Sequence, residues 1–319
     1  MSQECLLTKK IVYTVRFTDD VIASSLSKDS VQYNYIVNKR FFWEANDEIL
    51  TRVKAKKAYF QSFKGDTIQY DTIINRLCRA LNSHYNKKYD KNNIKEVLDN
   101  DIRAVRFWEE WTYNTNNMLI NKKIIGYCPI IQRDSVALID DELKAKNEFE
   151  FELGWIFHKS SSNNKDTILI SNNLQYTMNI YNKAPYQWWN SNLEAEYSIP
   201  YFDMLIDKAE NLQIPVFEEP NAVEVLTKPI IIKRRERSST IEIYGVTKQN
   251  VEVTQDTIII TKMNSEDIEA IRFGEKIIFD KESLTYSKQV NYLSPIIYIF
   301  GSDGQYHGTY PIYYIRKER

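Results

Sequence analysis

Side chains that commonly serve in catalysis or metal binding are few in this chain, and they are scattered. Six such residues are histidines or cysteines: His84, His158, His307, Cys5, Cys78 and Cys128. They show neither the short spacing of metal ligands nor a Cys-x-x-Cys pair. Phosphate-binding glycine loops and a Gly-x-Ser-x-Gly elbow are also lacking from the sequence. We therefore expect no metal site, no cofactor and no catalytic residues, and interpret the cysteines as core or free thiols.

Paired carboxylates are the remaining candidates for acid–base chemistry. Glu109 and Glu110 are neighbours in sequence, as are Asp140 and Asp141. Adjacent residues of a strand point to opposite faces, so such a pair does not readily converge on one substrate. We interpret both pairs as solvated and the protein as non-enzymatic, although catalytic groups can also converge from distant segments.

Interaction surfaces are the better-supported alternative to catalysis. The densest basic run, "KRRER" at 233–237, is interpreted as a solvent-exposed hairpin end that could dock on an acidic partner. The net charge of −1 does not favour nucleic acid. Outward-facing tryptophans could anchor an interface, while burial of the same residues is the open alternative. The candidate interface residues are Trp188, Trp189, Trp155, Lys233, Arg234, Arg235 and Arg237.

An internal repeat supplies the framework for these residues. "DIRAVRFWEEW" begins at Asp101, and "DIEAIRFGEKI" begins 166 positions later at Asp267. Without any gap, 10 of 31 positions are identical between residues 101–131 and 267–297. The repeat predicts two copies of one module. We place the first in residues 1–160 and the second in 161–319, with the small polar run at 159–166 as linker.

Each copy is predicted to combine helices with mostly antiparallel strands. In the first, "KKIVYTVRF" and "NKKIIGYCPII" are typical of strands. Residues 69–88 have apolar side chains at helical spacing, and "NNIKEVLDN" is a second short helix. "EFEFELGWIF" predicts one half-buried strand with Phe149 to Phe157 alternating inward. In the second, we expect a helix capped by Ser198, several strands, and a terminal hairpin turning at Asp303-Gly304. The fold class is α+β, as two related modules with one or two helices each.

Composition is that of a globular protein of two-module size. The 319 residues are 43% hydrophobic and include 22 tyrosines but only 8 glycines. This balance favours β-rich structure with much aromatic contact surface. The start, "MSQECLLTKK", lacks a secretory hydrophobic region, so a cytoplasmic chain and a mature chain without its signal peptide both stay open.

Residues 101–130 resemble the GldN/PorN family of the Bacteroidetes type IX secretion and gliding machinery. The positions that carry the resemblance are Trp111, Tyr113, Lys123, Ile125, Gly126, Cys128 and Pro129. "FELGWIF", with Trp155, Ile156 and Phe157, is similar to the family's hydrophobic strand. Tyr35 and Trp43 keep its spacing of eight residues. The family carries the module once, whereas this chain carries it as an apparent tandem duplication.

The resemblance implies a structural subunit of a large periplasmic ring, peripheral to the outer membrane. Its implied partners are further copies of itself, a GldK/PorK-like outer-membrane lipoprotein and, through the ring, a GldL/GldM-like motor. Two alternatives stay open. One is a phage or virion structural protein of the tail or capsid; the other is a glycan-binding module that uses Tyr and Trp platforms with Asn side chains.

Overall fold

A computed structural model describes residues 3–17, 39–85, 88–139, 142–158, 166–180, 193, 195–246, 252–300 and 306–317. The helices of this part are α1 (Lys39–Lys54), α2 (Tyr70–Tyr85), α3 (Ile94–Asp101), α4 (Ala195–Glu210) and α5 (Lys228–Lys233). The strands of the first half are β1 (Glu4–Arg16), β2 (Phe60–Gln61), β3 (Thr67–Ile68), β4 (Ile102–Asn114), β5 (Ile120–Ile139), β6 (Glu142–Glu152) and β7 (Ile156–Phe157). Those of the second half are β8 (Thr167–Asn179), β9 (Glu236–Val246), β10 (Glu252–Lys262), β11 (Ala270–Asp280), β12 (Thr285–Phe300), β13 (Tyr306–Pro311) and β14 (Ile315–Arg316).

The strands form two curled, half-barrel sheets with the same topology. The first has the order β1-β4-β5-β6, with β7 also paired to β5; the second has β8-β11-β12-β13, with β14 also paired to β12. All these pairings are antiparallel. Helices α1, α2 and α3 lie between β1 and β4 in the chain. Helices α4 and α5, the β9–β10 hairpin and a 3-10 turn at Ser265–Asp267 lie between β8 and β11. The predicted α+β class with two similar modules is confirmed.

Backbone details show how closely the two modules correspond. Four non-glycine residues of the described part have positive φ, and they form two equivalent pairs. Lys56 (φ 58°) and Leu212 (φ 54°) each lie two residues after the first helix of a module. Met118 (φ 59°) lies in the turn between β4 and β5, and Leu284 (φ 54°) lies in the turn between β11 and β12. A left-handed conformation is costly for such side chains. Because this conformation recurs at equivalent positions, the two modules follow the same backbone course at these turns.

The two modules share a single interior. One cluster of buried side chains extends from Leu7 in β1 to Ile315 in β14. The first helix of each module contacts the first strand of the other: α1 contacts β8, and α4 contacts β1. Tyr201 of α4 also donates a hydrogen bond to the Met118 carbonyl, 2.8 Å away, in the first module. Each module thus completes the packing of its neighbour.

The helix periodicity of residues 69–88 gives the right element and the right face. Helix α2 buries Ile73, Ile74, Leu77 and Leu81, the apolar positions at helical spacing. Strands β1 and β5 and helix α3 also form where the sequence predicts them.

Three local predictions are wrong. The alternation at 149–157 is not one strand, because β6 ends at Glu152 and Gly154 adopts φ 136° before β7 begins. A side chain at Gly154 would also meet Phe60, 2.7 Å away.

Helix α4 starts at Ala195, so Ser198 is a buried helical residue and no cap. The run at 233–237 is no hairpin end, because α5 ends at Lys233 and β9 starts at Glu236. The linker at 159–165 and the turn at Asp303-Gly304 lie outside the described residues.

Candidate functional site

The most concentrated group of ionisable side chains lies in the middle of the molecule, between the two sheets. We call it the central cluster; its members are Tyr13, Glu109, Lys122, Tyr176, Glu275 and Lys288. Each sheet contributes three of these side chains from successive strands in its order. The tyrosine comes from the edge strand (β1 or β8), the glutamate from the next strand (β4 or β11) and the lysine from the third (β5 or β12). The glutamates and the lysines are identical pairs of the repeat, each separated by 166 positions. All four charged side chains are fully buried.

A β-bulge aims each glutamate into the interior. In the first sheet Trp108 pairs with Gly126 and Glu109 with Ile124, which leaves Ile125 as the extra residue. In the second sheet the shift falls at the equivalent place, between Gly274 and Glu275, with Asn291 as the extra residue. Bulges bend a strand and redirect the side chains beside them. The repeat has therefore kept the backbone irregularity together with the carboxylate that it positions.

The two shortest ion pairs of the cluster cross from one module to the other, and a longer one of 3.9 Å joins Lys288 to Glu275 within the second module. Lys122 Nζ lies 2.6 Å from Glu275 Oε1, and Lys288 Nζ lies 2.9 Å from Glu109 Oε1. The aromatic walls are also exchanged. Lys122 Nζ lies 3.2 Å from the ring centre of Phe273, and Lys288 Nζ lies 3.5 Å from that of Phe107. Each lysine therefore depends on a carboxylate of the other module.

The two tyrosines join these pairs into one network. Tyr13 donates to Glu109 Oε2 at 2.7 Å, Tyr176 donates to Glu275 Oε2 at 2.9 Å, and the hydroxyls lie 3.0 Å apart. Lys122 Nζ also lies 2.9 Å from the Tyr176 hydroxyl, and Lys288 Nζ lies 2.9 Å from that of Tyr13. Burial, and then the nearby carboxylates, raises the pKa of both tyrosines well above the usual value. Both phenols are therefore neutral donors at physiological pH.

Burial and pairing act in opposite directions on the charged members. Burial lowers the pKa of Lys122 to about 8, although Glu275 and Glu109 act to raise it. For Glu109, burial alone would raise the pKa, but Lys288 and Lys122 outweigh it and the pKa is lowered. At pH 7 Lys122 and Glu109 are consequently both charged, although both are fully buried.

Sealed as it is, this arrangement fits a structural role. Removing one partner of a buried ion pair leaves an uncompensated charge and costs about 3–5 kcal/mol. When the two modules are docked as in this structure, each buried lysine pairs with a glutamate of the other module. A misplaced module would leave these charges buried without their partners. The crossed ion pairs are therefore fully satisfied in this relative placement of the two modules.

Sequence reasoning placed Glu109 wrongly. We expected Glu109 and Glu110 to be solvated, yet Glu109 is fully buried and only Glu110 reaches the surface. Asp140 and Asp141 lie outside the described residues. The repeat contains the signal that could have identified the buried residue. Glu109 recurs as Glu275, whereas the position of Glu110 is taken by Lys276.

The candidate interface residues are not brought together into one surface. Trp188 and Trp189 lie outside the described residues. Trp155 is buried in a small cluster with Val12 and Cys128, so it is not accessible to an outside partner.

The basic run is divided between surface and interior. Lys233 and Arg237 are exposed. Arg234 donates to the Ile312 carbonyl at 2.5 Å and forms an ion pair of 2.8 Å with Glu218. Arg235 is buried against Glu210. These arginines mainly join α5 to the neighbouring segments.

The scattered histidines and cysteines remain apart in the fold. Among the described residues no group of three or more His, Cys, Asp or Glu side chains could hold a metal ion. Cys5, Cys78 and Cys128 are free thiols. His158 is mostly buried, and burial lowers its pKa to about 4. In the described part of the chain, no helix is long and apolar enough to cross a membrane.

Fold and site together define a two-module α+β protein in which charges kept by both copies of the repeat face one another in the interior. Comparison with protein-family models, curated proteins and solved structures gives no match to this chain.

Proposed function

We propose that this protein is a non-enzymatic structural subunit in which two fused modules form one building block of a larger assembly. The observation that carries the proposal is the central cluster. The glutamate and lysine that both copies have kept pair across the module boundary in full burial. Charged side chains in that position would hold the two modules in register, because a shifted module would leave buried charges without their partners.

Exposed apolar side chains support assembly with neighbouring subunits. In the second module Val223 is 88% exposed and Ile260 is 64% exposed, and Val225 and Ile230 are about half exposed. Apolar side chains at a contact centre supply much of the binding free energy between subunits. A structural subunit would bury such residues against its neighbours.

The resemblance of residues 101–130 to the GldN/PorN family gives the proposal its specific form. In that form the protein is part of a periplasmic ring at the outer membrane. Its partners are further copies, a GldK/PorK-like lipoprotein and a GldL/GldM-like motor. The duplication would then supply two ring-building modules in one chain.

A pull-down of the tagged protein from its native cells in mild detergent tests the proposal. Mass spectrometry and negative-stain microscopy of the eluate should show a large ring that contains an outer-membrane lipoprotein. A protein recovered alone would contradict the proposal, and capsid or tail proteins in the eluate would replace it with the virion alternative.

A matched pair of variants locates the contact surface in the same experiment. Val223→Asp should reduce recovery of the assembly, because it places a charge at an exposed apolar position. Glu224→Gln, at the exposed neighbouring residue, should leave recovery unchanged. Equal recovery with both variants would exclude this segment as a contact.

A further inference from the structure

A groove of the first module contains a buried polar group that has no partner. The groove lies between α1 and α3 and has a volume of about 230 Å³. Its apolar floor includes Leu50 and Leu98, and its polar lining includes Asn46, Asp47 and Asp99. Asn46 is only 4% exposed, and neither its carboxamide oxygen nor its nitrogen has a hydrogen-bond partner among the residues that the structure describes. Buried amides are nearly always hydrogen-bonded, so this exception calls for an explanation.

The second module shows that the fold itself does not require this amide. Helices α1 and α4 are equivalent. Each has 16 residues and is followed, two positions after its end, by a residue with left-handed backbone conformation, Lys56 or Leu212. The residue of α4 that corresponds to Asn46 is Phe202, which is 2% exposed and part of the hydrophobic core. An apolar side chain therefore packs well at this position of the fold. The buried amide of Asn46 at the same position of α1 lowers the stability of the folded state unless a hydrogen-bond partner pairs with it.

An exposed indole ring lies at the same groove. Trp43 lines it one helical turn before Asn46 and is 45% exposed. The corresponding residue of α4 is Ile199, so this feature too belongs to the first module alone. Large exposed aromatic rings are typical of contact sites, because they offer a rigid apolar face at low entropic cost.

We propose that this groove binds one pyranose ring of a carbohydrate. The apolar face of the sugar would stack on Trp43, and its hydroxyls would donate to the carboxylates of Asp47 and Asp99. Both amide atoms of Asn46 are buried in the unbound groove, so the side chain would turn toward the sugar, whose hydroxyls both donate and accept and can pair with its nitrogen and its oxygen. The volume is below the roughly 300–1,000 Å³ of pockets for drug-sized ligands, which suits a single ring.

The same chemistry disfavours a cationic ligand. An ammonium group would be attracted by the two carboxylates and the indole face. It carries only donors, however, so it would leave the amide nitrogen of Asn46 unpaired. This binding site goes beyond the structural function proposed above, since a subunit of an assembly can bind a glycan without depending on it.

The test uses the full chain on a printed array of bacterial, plant and animal glycans, followed by calorimetric titration with the oligosaccharide that is retained best. We expect saturable binding that weakens at least tenfold in Trp43→Ala and in Asn46→Leu. Tyr59→Ala is the matched control, because Tyr59 is also 45% exposed but lies outside this groove. It should bind as the unchanged chain does.

Several outcomes would overturn the proposal. No glycan is retained on the array, or Trp43→Ala and Asn46→Leu bind as tightly as the control. Competition by n-butylamine would replace the sugar with a cation. Thermal unfolding of each variant guards against misfolding, and Asn46→Leu should melt no lower than the unchanged chain. The array result does not depend on recovery of an assembly, so this proposal and the structural one can fail separately.

Discussion

The two modules agree in the interior of the protein and differ where each has surroundings of its own. Around the central cluster three pairs of interior residues are kept: Phe107 with Phe273, Glu109 with Glu275, and Lys122 with Lys288. At the helices the modules diverge, since α2 has 16 residues and α5 has 6. A residue that pairs across the pseudo-symmetric boundary cannot change without stranding its partner. A residue on the periphery can.

The equivalent arginines show the same division within one side chain. Arg106 Nε donates to Thr14 at 3.0 Å, and Arg272 Nε donates to Thr177 at 3.2 Å. The remaining guanidinium nitrogens differ: those of Arg106 pair with Glu150 and Glu152, while those of Arg272 bond neutral hydroxyls. The inner contact is shared, and the outer contacts are particular to each module.

A glycine and an aromatic residue have changed places between the two central strand pairs. In the first sheet Trp108 lies opposite Gly126; in the second Gly274 lies opposite Tyr292. A Cβ at Gly274 would overlap the ring of the facing Tyr292, whereas a Cβ at Gly126 would meet Phe157 of β7 and not the facing Trp108. Each glycine therefore makes room for an aromatic ring, but only in the second module is it the ring on the opposite strand.

Breaking the central cluster should cause the largest loss of stability. Lys122→Met removes the nearer of the two ammonium groups beside the buried Glu275 carboxylate, leaving Lys288 at 3.9 Å, and should cost about 3 kcal/mol of unfolding free energy. Lys288→Met should cost a similar amount, because it strands Glu109 in the equivalent place. Urea unfolding of both variants measures this.

A double variant separates stranded charge from lost packing. Lys122→Met with Glu275→Leu removes the whole pair and should lose less than Lys122→Met alone. A single variant that loses less than about 1 kcal/mol would refute the structural role of the cluster.

The exchanged glycines predict a loss of intermediate size. Gly274→Ala places a Cβ 2.1 Å from Cζ of Tyr292, which is a closer approach than the 2.7 Å between a Cβ at Gly126 and Phe157. We expect a cost of about 2–3 kcal/mol for Gly274→Ala and somewhat less for Gly126→Ala. In a Tyr292→Gly background the Gly274→Ala change should cost less, because only the approach of 2.7 Å to Asn173 Oδ1 remains. An unchanged cost there would show that the ring is not the cause.

His158 should make the first module more sensitive to acid. Burial lowers its pKa from 6.5 to about 4. The unfolded chain therefore takes up this proton first as the pH falls, and stability decreases between pH 6.5 and 4, by up to about 3 kcal/mol. The lowered pKa of Glu109 adds its own loss at the acidic end.

The second module has Lys317 in place of His158, with an equivalent backbone bond to the central strand. His158→Gln should therefore flatten the pH dependence of unfolding free energy in this window, whatever its effect at pH 7. An unaltered slope would assign the dependence to other groups.

The smallest expected effect has the opposite sign. Asn46→Leu removes a buried amide without a partner and should stabilise the protein by about 1 kcal/mol. Thermal and urea unfolding without added sugar measure it. Destabilisation would mean that the amide is satisfied in solution and that the groove is less dry than its geometry indicates.

The sequence by itself determined the elements with strong local patterns. The apolar spacing of Ile73 to Leu81 fixes α2 and its buried face, since helix periodicity depends only on positions along the chain. The repeat predicted the two similar modules, because strand order follows from inherited connectivity. Where a single residue interrupts the pattern, as Gly154 does with its positive φ, alternation alone misled.

Only the tertiary structure decided which charges are buried. Glu109 and Glu110 are the same residue type at neighbouring positions, yet a bulge directs the first toward a lysine of the other module. Likewise, Asn46 differs from other buried amides because, in the groove beside α3, both its nitrogen and its oxygen lack a partner among the described residues. Burial and pairing depend on segments distant in the chain, and no local pattern records how those segments meet.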